Sequence, residues 1–223
     1  MIHVVIPAAG AGSRFIAAGY GPKIWADVNG VPMLRAVVDN LRPAAEHRIT
    51  VVVTRDPPDL GEGVEVVHLK KVTRGAVETA LMAGIGVGPL LLANCDQLLS
   101  KPMANAMVTG WSVDGVLATF PSASPAHSYV KLDAHGYVTD IAEKQVISDR
   151  AVGGVYYFTD GLRFAEAAAT VLDEDRRVLN ELYVSTVLAE MMSQGASLRT
   201  LHGSVTTLGT PEELDTHLGR VPA

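Results

Sequence analysis

The segment Ile6-Pro7-Ala8-Ala9-Gly10-Ala11-Gly12-Ser13-Arg14-Phe15, followed by Pro22-Lys23, carries more information than any other stretch of this chain. It continues the apolar run Ile2-His3-Val4-Val5-Ile6, which predicts a buried parallel strand. A strand that empties into small residues lets backbone N–H groups come close to phosphate oxygens, because no Cβ stands in the way at glycine. Arg14 and Lys23 add two cations on the same segment, suited to a polyphosphate.

Other glycine loops fit less well. A dinucleotide-binding turn wants Gly-x-Gly-x-x-Gly, and the third glycine position is Phe15. A P-loop wants Gly-Lys-Ser/Thr after four intervening residues, which the segment lacks. Gly10-x-Gly12 alone would suit an ordinary strand-to-helix turn. Arg14-Phe15 and Pro22-Lys23 turn the reading toward a nucleotide site.

The first half alternates strand-like and helical runs. Ile2 to Ile6, Ile49 to Val53, Val64 to His68 and Leu90 to Ala93 predict strands, and Pro32 to Leu41 and Gly75 to Gly84 predict helices. Such alternation implies parallel strands with right-handed crossovers, and ligands in such sheets sit at the carboxyl ends of strands. The second half is β-rich at Val116–Phe120, Tyr129–Leu132, Tyr137–Ile141 and Val152–Phe158, with a turn at Asp133-Ala134-His135-Gly136. Helices are expected at Gly161–Leu172 and Glu181–Met192, and a late strand at Ala196–Leu201. Thr210-Pro211-Glu212-Glu213 supplies an N-cap, a proline at N1 and acidic residues for a closing helix.

The 223 residues suit one α/β domain, or a domain with a small lobe, that buries roughly 70% of its unfolded surface. With 48% hydrophobic and 19% charged residues, the composition is that of a water-soluble globular protein. A formal net charge of −6 argues against a nucleic-acid partner but leaves room for a local basic pocket. Cys95 is the only cysteine, so no intrachain disulfide forms. Met1-Ile2-His3-Val4 lacks a secretion leader's features and no apolar stretch is long enough for a membrane span, so a cytoplasmic protein with no membrane partner is expected.

Asp96 follows the strand Leu90–Ala93 among Asn94, Cys95 and Gln97. A carboxylate there, facing a phosphate loop, is where a Mg²⁺ ligand belongs. Cys95 reads as a small buried residue, since phosphoryl transfer to an acceptor phosphate needs no thiol nucleophile. Glu143-Lys144 beside such a cleft would accept hydrogen bonds from hydroxyls and hold a phosphate. Lys131 is a further cation, equally readable as an exposed strand lysine. Gly153-Gly154 permits close approach of a ligand or forms a strand bulge.

Taken in order, these motifs run over nearly the whole chain. They are Gly10–Phe15, Gly19-Tyr20, Pro22-Lys23, Gly30-Val31-Pro32-Met33, Asn94-Cys95-Asp96-Gln97, Ser128–Asp133, Glu143-Lys144, Ile147-Ser148-Asp149, Gly154–Phe158, Glu181–Ser185 and Gly209-Thr210-Pro211-Glu212. The pattern resembles the GT-A-type nucleotidyltransferase superfamily, and within it the capsular-polysaccharide-type subgroup. The resemblance implies a single domain over 1–223 with a Rossmann-like α/β fold: a mixed, mostly parallel central sheet flanked by helices, with a small antiparallel β extension. Residues 1–120 would mainly bind nucleotide and 121–223 mainly acceptor.

It also implies roles. Ala8, Ala9, Gly10, Ala11, Gly12 and Ser13 would hold the nucleotide, with Asn94 near it and Gly75 at the base. Arg14 and Lys23 would bind the triphosphate, and Asp96 would ligate Mg²⁺, the expected cofactor. Lys131, Glu143, Lys144, Gly154 and Glu181 would meet the acceptor. The expected partners are a nucleoside triphosphate, CTP or dTTP first, and a sugar phosphate or related phosphorylated small molecule, with pyrophosphate released. Polysaccharide or secondary-metabolite synthesis would use the product. A homodimer is common among such proteins, although no stripe in this chain argues for one. One departure matters: where many members carry a second metal-binding aspartate, two residues before the Gly-Thr pair, this chain has Thr207.

Two rivals differ in chemistry. A GT-A glycosyltransferase would place Asp-x-Asp where Asn94-Cys95-Asp96 stands, and Arg14 with Lys23 suits a leaving pyrophosphate better. A silent nucleotide-binding protein would have little reason to keep Arg14, Lys23 and Asp96 together.

Overall fold

Every residue of the first strand, β1 (Ile2–Ala8), is buried, so both of its faces need covering. The structure, a computed structural model, describes residues 1–43 and 45–220. After β1 come α1 (Ser13–Ala17), a small hairpin of β2 (Asp27–Val28) and β3 (Val31–Pro32), α2 (Met33–Leu41), β4 (His47–Val53) and β5 (Val64–His68). Next are α3 (Ala76–Leu81), β6 (Leu90–Ala93), β7 (Gln97–Leu99), α4 (Lys101–Ala106) and β8 (Gly115–Pro121). The second half adds β9 (Ser128–Leu132), β10 (Val138–Glu143), β11 (Arg150–Phe158), α5 (Gly161–Asp173), α6 (Val184–Ser193), β12 (Leu198–His202), β13 (Val205–Thr207) and α7 (Pro211–His217).

The central sheet is mixed, as expected. β6, β1, β4 and β5 lie side by side and parallel, in registers such as His3↔Leu90 and Val4↔Ile49. β11 joins antiparallel to β6, with Val155 opposite Ala93, and pairs antiparallel with β8 and β9, while β10 pairs antiparallel with β9. β12 closes parallel to β8. One face of β1, with Val4 and Ile6, packs on α2 and α4 through Leu34, Val38 and Met103. The other, with Val5, packs on α3, α5 and α6 through Val77, Phe164 and Leu188. That two-sided burial is why β1 reads as an unbroken apolar run.

A second, small sheet pairs β13 with β7 antiparallel, placing Thr207 opposite Gln97. Leu208 N–H donates to the Asp96 carbonyl at 2.9 Å, and Phe15 packs in one apolar cluster with Leu208 and Leu214. Phe15 thus anchors the chain's last helix beside its first loop. Thr210 and Glu213 cap that helix reciprocally, the Thr210 hydroxyl accepting from Glu213 N–H and the Glu213 carboxylate from Thr210 N–H.

Two expectations need correction or refinement. The helix read from Glu181 starts at Val184 instead. Glu181 exchanges both backbone hydrogen bonds with Val178 across Leu179 and Asn180, which sit at φ 47° and 68°, so the chain is still turning there. The Gly153-Gly154 pair sits at the strand bulge it was read as. The β11–β8 register shifts between Val152 and Tyr156, and Gly154 lies against the Asn94 side chain.

Candidate active site

The loop after β1 and the segment after β6 meet at the carboxyl ends of adjacent parallel strands, over a cleft of about 600 Å³. Gly12 has φ +66°, and a Cβ on it would stand 3.3 Å from Lys23 N, so the loop folds directly onto Lys23. Among the described residues, the N–H groups of Gly10, Ala11 and Gly12 donate to no other backbone group. They are free for an anion.

Lys23 Nζ donates to Asp96 Oδ2 at 2.6 Å, with side chains 22% and 13% exposed. Burial favours the neutral amine, but the charge of Asp96 and its hydrogen bond, together with Cys95, outweigh it and hold Lys23 above its usual range. For Asp96, burial pushes upward, yet the Lys23 ammonium and a hydrogen bond from Gln97 Nε2 bring its carboxyl below the ordinary value. Arg14 lines the same cleft and makes no ion pair among the described residues. Burial pushes the Cys95 thiol up, so it stays protonated beside this pair.

The donors around Asp96 fit a hard divalent cation. Gln97 is 9% exposed, and its carbonyl Oε1 has no hydrogen-bond partner among the described residues, leaving a buried oxygen acceptor beside the carboxylate. Gly209 leaves a niche: a Cβ there would lie 3.2 Å from Asp96 Oδ2 and 3.3 Å from Glu213 Oε2. Among the described residues no group of three or more His, Cys, Asp or Glu gathers as for a fully protein-ligated ion. An all-oxygen, partly solvated site of this sort suits Mg²⁺, which keeps waters and takes substrate phosphates.

The opposite wall comes from the second half. Glu143 Oε2 accepts from the hydroxyls of Ser128 and Ser185, the latter at 2.6 Å. Lys144 has φ 54°, an uncommon conformation for lysine, and its Nζ lies 5.2 Å from the centre of the Tyr183 ring. Burial, then a hydrogen bond to Glu181, pushes the Tyr183 hydroxyl up. His127 is pulled down by burial, against the opposing charges of Glu213 and Glu143. Gly75, at φ +156°, is pressed onto the far side: a Cβ there would meet Leu182 O at 2.5 Å and Leu182 N at 2.7 Å.

The structure therefore gathers Ala8, Ala9, Gly10, Ala11, Gly12, Ser13, Arg14, Lys23, Gly75, Asn94, Asp96, Glu143, Lys144, Gly154 and Glu181 around one cleft. Lys131 is the exception. It lies on the exposed surface of β9, pairs with Asp140 of β10 at 3.7 Å, and does not line the cleft. Its neighbours Tyr129 and Val130 fill the core, and the lysine is left to solvent. Ser185, His127 and Glu213 also line the cleft and were given no site role from the sequence. Ser185 closed the Glu181–Ser185 motif and Glu213 ended a Thr-x-x-Glu capping box, while His127 carried no signal.

Solved structures share this architecture. The nucleoside-diphosphate-sugar pyrophosphorylase from Vibrio cholerae superposes with a TM-score of 0.80 at 22% identity, covering 97% of this chain and 99% of that one. The inositol-1-phosphate CTP transferase from T. maritima does so with a TM-score of 0.75 at 18% identity, covering 98% and 93%. A 2-C-methyl-D-erythritol 4-phosphate cytidylyltransferase of Nocardia farcinica is 30% identical over 192 residues, 81% of each protein. Fold and cleft together define a nucleotidyltransferase. The chain belongs to the MobA-like NTP transferase domain family, which matches residues 4–191.

Proposed function

We propose that the protein moves the nucleotidyl group of a nucleoside triphosphate, CTP ahead of dTTP, onto the phosphate of a sugar or polyol phosphate. The observation that carries this is the convergence of the free glycine loop, Arg14 and the Lys23–Asp96 pair at the ends of β1 and β6. The preference for CTP, and the widening of the acceptor to polyols, rest on the name of the Nocardia farcinica relative.

In this reading an acceptor phosphate oxygen attacks the α-phosphorus in line. The new P–O bond forms as the bond to the β-phosphate breaks, and pyrophosphate leaves. No protein group is covalently modified, since the work is positioning and charge neutralisation. The 1–120 half binds nucleotide: Gly10 to Gly12 cradle phosphates through N–H groups, and Arg14 and Lys23 neutralise the departing pyrophosphate. The 121–223 half holds the acceptor, with Glu143 taking hydroxyls and Lys144 the phosphate.

Asp96 would hold Mg²⁺, which would supply positive charge to the phosphate oxygens. The capsule-type motifs support a product used in polysaccharide or secondary-metabolite synthesis. We place this work in the cytoplasm; among the described residues no helix is long and apolar enough to cross a membrane.

The test is pyrophosphate release with Mg²⁺, crossing each nucleoside triphosphate against sugar and polyol phosphates, with Asp96→Asn alongside. Release that requires one triphosphate and one acceptor, and is lost in the variant, is the expected result. Tight nucleotide binding without turnover on any acceptor would leave a protein that only binds.

A further inference from the structure

We infer that Glu213 is the second protein carboxylate of the cation site at Asp96, so that the capping box of α7 also forms half of a hard-cation site. The inference rests on the nucleotidyltransferase reading above and adds a ligand to it.

Four observations converge. First, Gly209 keeps open a gap whose walls are Asp96 Oδ2 and Glu213 Oε2, each within ordinary or closer contact of where a methyl group would stand. Second, the Asp96 oxygen facing that gap is the one held by the Lys23 ammonium at 2.6 Å, so a cation already occupies one of its lone pairs. Third, Glu213 has no ion-pair partner among the described residues, although it lines the same cleft. Fourth, the buried Gln97 Oε1 beside Asp96 lacks a partner among the described residues, although the Gln97 amide already donates to Asp96 Oδ1.

Glu213 is also well aimed. Its Oε1 accepts from the Thr207 hydroxyl at 2.9 Å and its Oε2 from Thr210 N–H at 3.1 Å, which fixes the carboxylate's orientation. Each oxygen retains a lone pair, because a carboxylate offers about four acceptor sites. Thr207 itself has no charge to give a cation. It positions the carboxylate that does. The approach of α7 is fixed independently by Phe15 packing on Leu214 and by the Leu208 bond to the Asp96 carbonyl. Across the gap, the Lys23 ammonium is the one cation that pairs with either carboxylate among the described residues, which leaves the two anions short of one positive charge. A divalent cation answers both.

The test is a Mn²⁺ titration of the whole chain, followed by the electron paramagnetic resonance signal of free Mn²⁺, alone and with saturating CTP. Glu213→Gln is the informative variant, because glutamine at this position still serves a capping box while losing the charge. Asp96→Asn and Glu213→Gln should each weaken Mn²⁺ binding by about tenfold or more. Gly209→Ala fills the gap without a left-handed backbone to strain, and should weaken binding comparably. If Glu213→Gln lowers the melting temperature sharply, Gly209→Ala decides the matter.

Wild-type Mn²⁺ affinity in Glu213→Gln and Gly209→Ala, with affinity lost in Asp96→Asn, would remove Glu213 and leave the proposed function standing. Unchanged binding in all three variants, or no binding by the wild type in either arm, would remove the cation site itself. Pyrophosphate release then remains the separate test of the transferase reading.

Discussion

Lys23 and Asp96, 73 residues apart in the chain, are joined by a 2.6 Å ion pair inside the cleft. The pair pins the segment after β1 to the segment after β6, and it stores a positive charge where a triphosphate would lie. Neither residue is neutral, since each holds the other in its charged form against the cost of burial.

Removing Lys23 takes away a preorganised cation and leaves Asp96 unpaired. Lys23→Ala should therefore lower kcat by about 10²–10³, in the range of other charge-stabilising groups. Arg14→Ala should fall in the same range, but with little change in thermal stability, because Arg14 is exposed and makes no ion pair among the described residues. Pyrophosphate release under saturating substrates checks both. Near-normal turnover in either variant sinks the role given to that residue.

Glu143 is oriented by two hydroxyls on one oxygen, from Ser128 and Ser185. Ser185→Ala removes one charge-assisted hydrogen bond, worth about 1.5 kcal/mol. The expected result is about a tenfold higher KM for the acceptor with the KM for the triphosphate unchanged. An equal rise in both constants would place Glu143 outside the acceptor site.

Gly75 tolerates no side chain. A methyl group would collide with the backbone of Leu182 at 2.5 Å, and the φ of +156° is a region open essentially to glycine alone. Gly75→Ala should cost about 2 kcal/mol or more of stability, read as a lower urea midpoint. The same change at Gly10, where no atom lies within 4 Å of the added Cβ and φ is not positive, should leave the midpoint nearly unmoved.

His3 sets a pH dependence far from the cleft. Arg48 donates to His3 Nδ1 at 2.9 Å, which makes Nε2 the protonated nitrogen that donates to Thr50 Oγ1, also at 2.9 Å. Thr50 in turn donates to Glu65 at 3.2 Å. Burial, then the Arg48 charge, lowers the His3 pKa from 6.5 to about 4, against a smaller upward pull from Glu65. Between those values the unfolded chain binds more protons than the folded one, so stability falls as pH drops from 6.5 toward 4 and levels off below. The loss between pH 7.5 and pH 5 is about 2 kcal/mol. Urea titrations at the two pH values should show that difference shrinking in His3→Gln. An unchanged difference would place the titration elsewhere.

Much of the fold was legible because its signals are local. β1 and β6 are buried on both faces, so their apolar runs announced themselves. The Thr210 cap and the Asp133–Gly136 turn rest on side chains bonding to nearby backbone. Where reading failed, distant contacts had overridden local pattern. Helical periodicity from Glu181 onward could not show that Glu181 pairs with Val178 and is still in a turn. Lys131 sits one residue from a buried valine, and only the pairing of β9 with β10 shows that its charge ends on Asp140.

What the sequence determined by itself is the strand, the glycine loop, the two cations and the carboxylate at a strand end. Each follows from residue type and spacing, because backbone geometry and charge are encoded within a few positions. What the tertiary structure decided is which groups share the cleft. Glu213 and Asp96 come to flank Gly209 because Phe15 and Leu214 share one apolar cluster and because Thr207 pairs with Gln97 across two strands more than a hundred residues apart. No local pattern encodes such a meeting, since it depends on burying apolar surface that distant segments supply jointly.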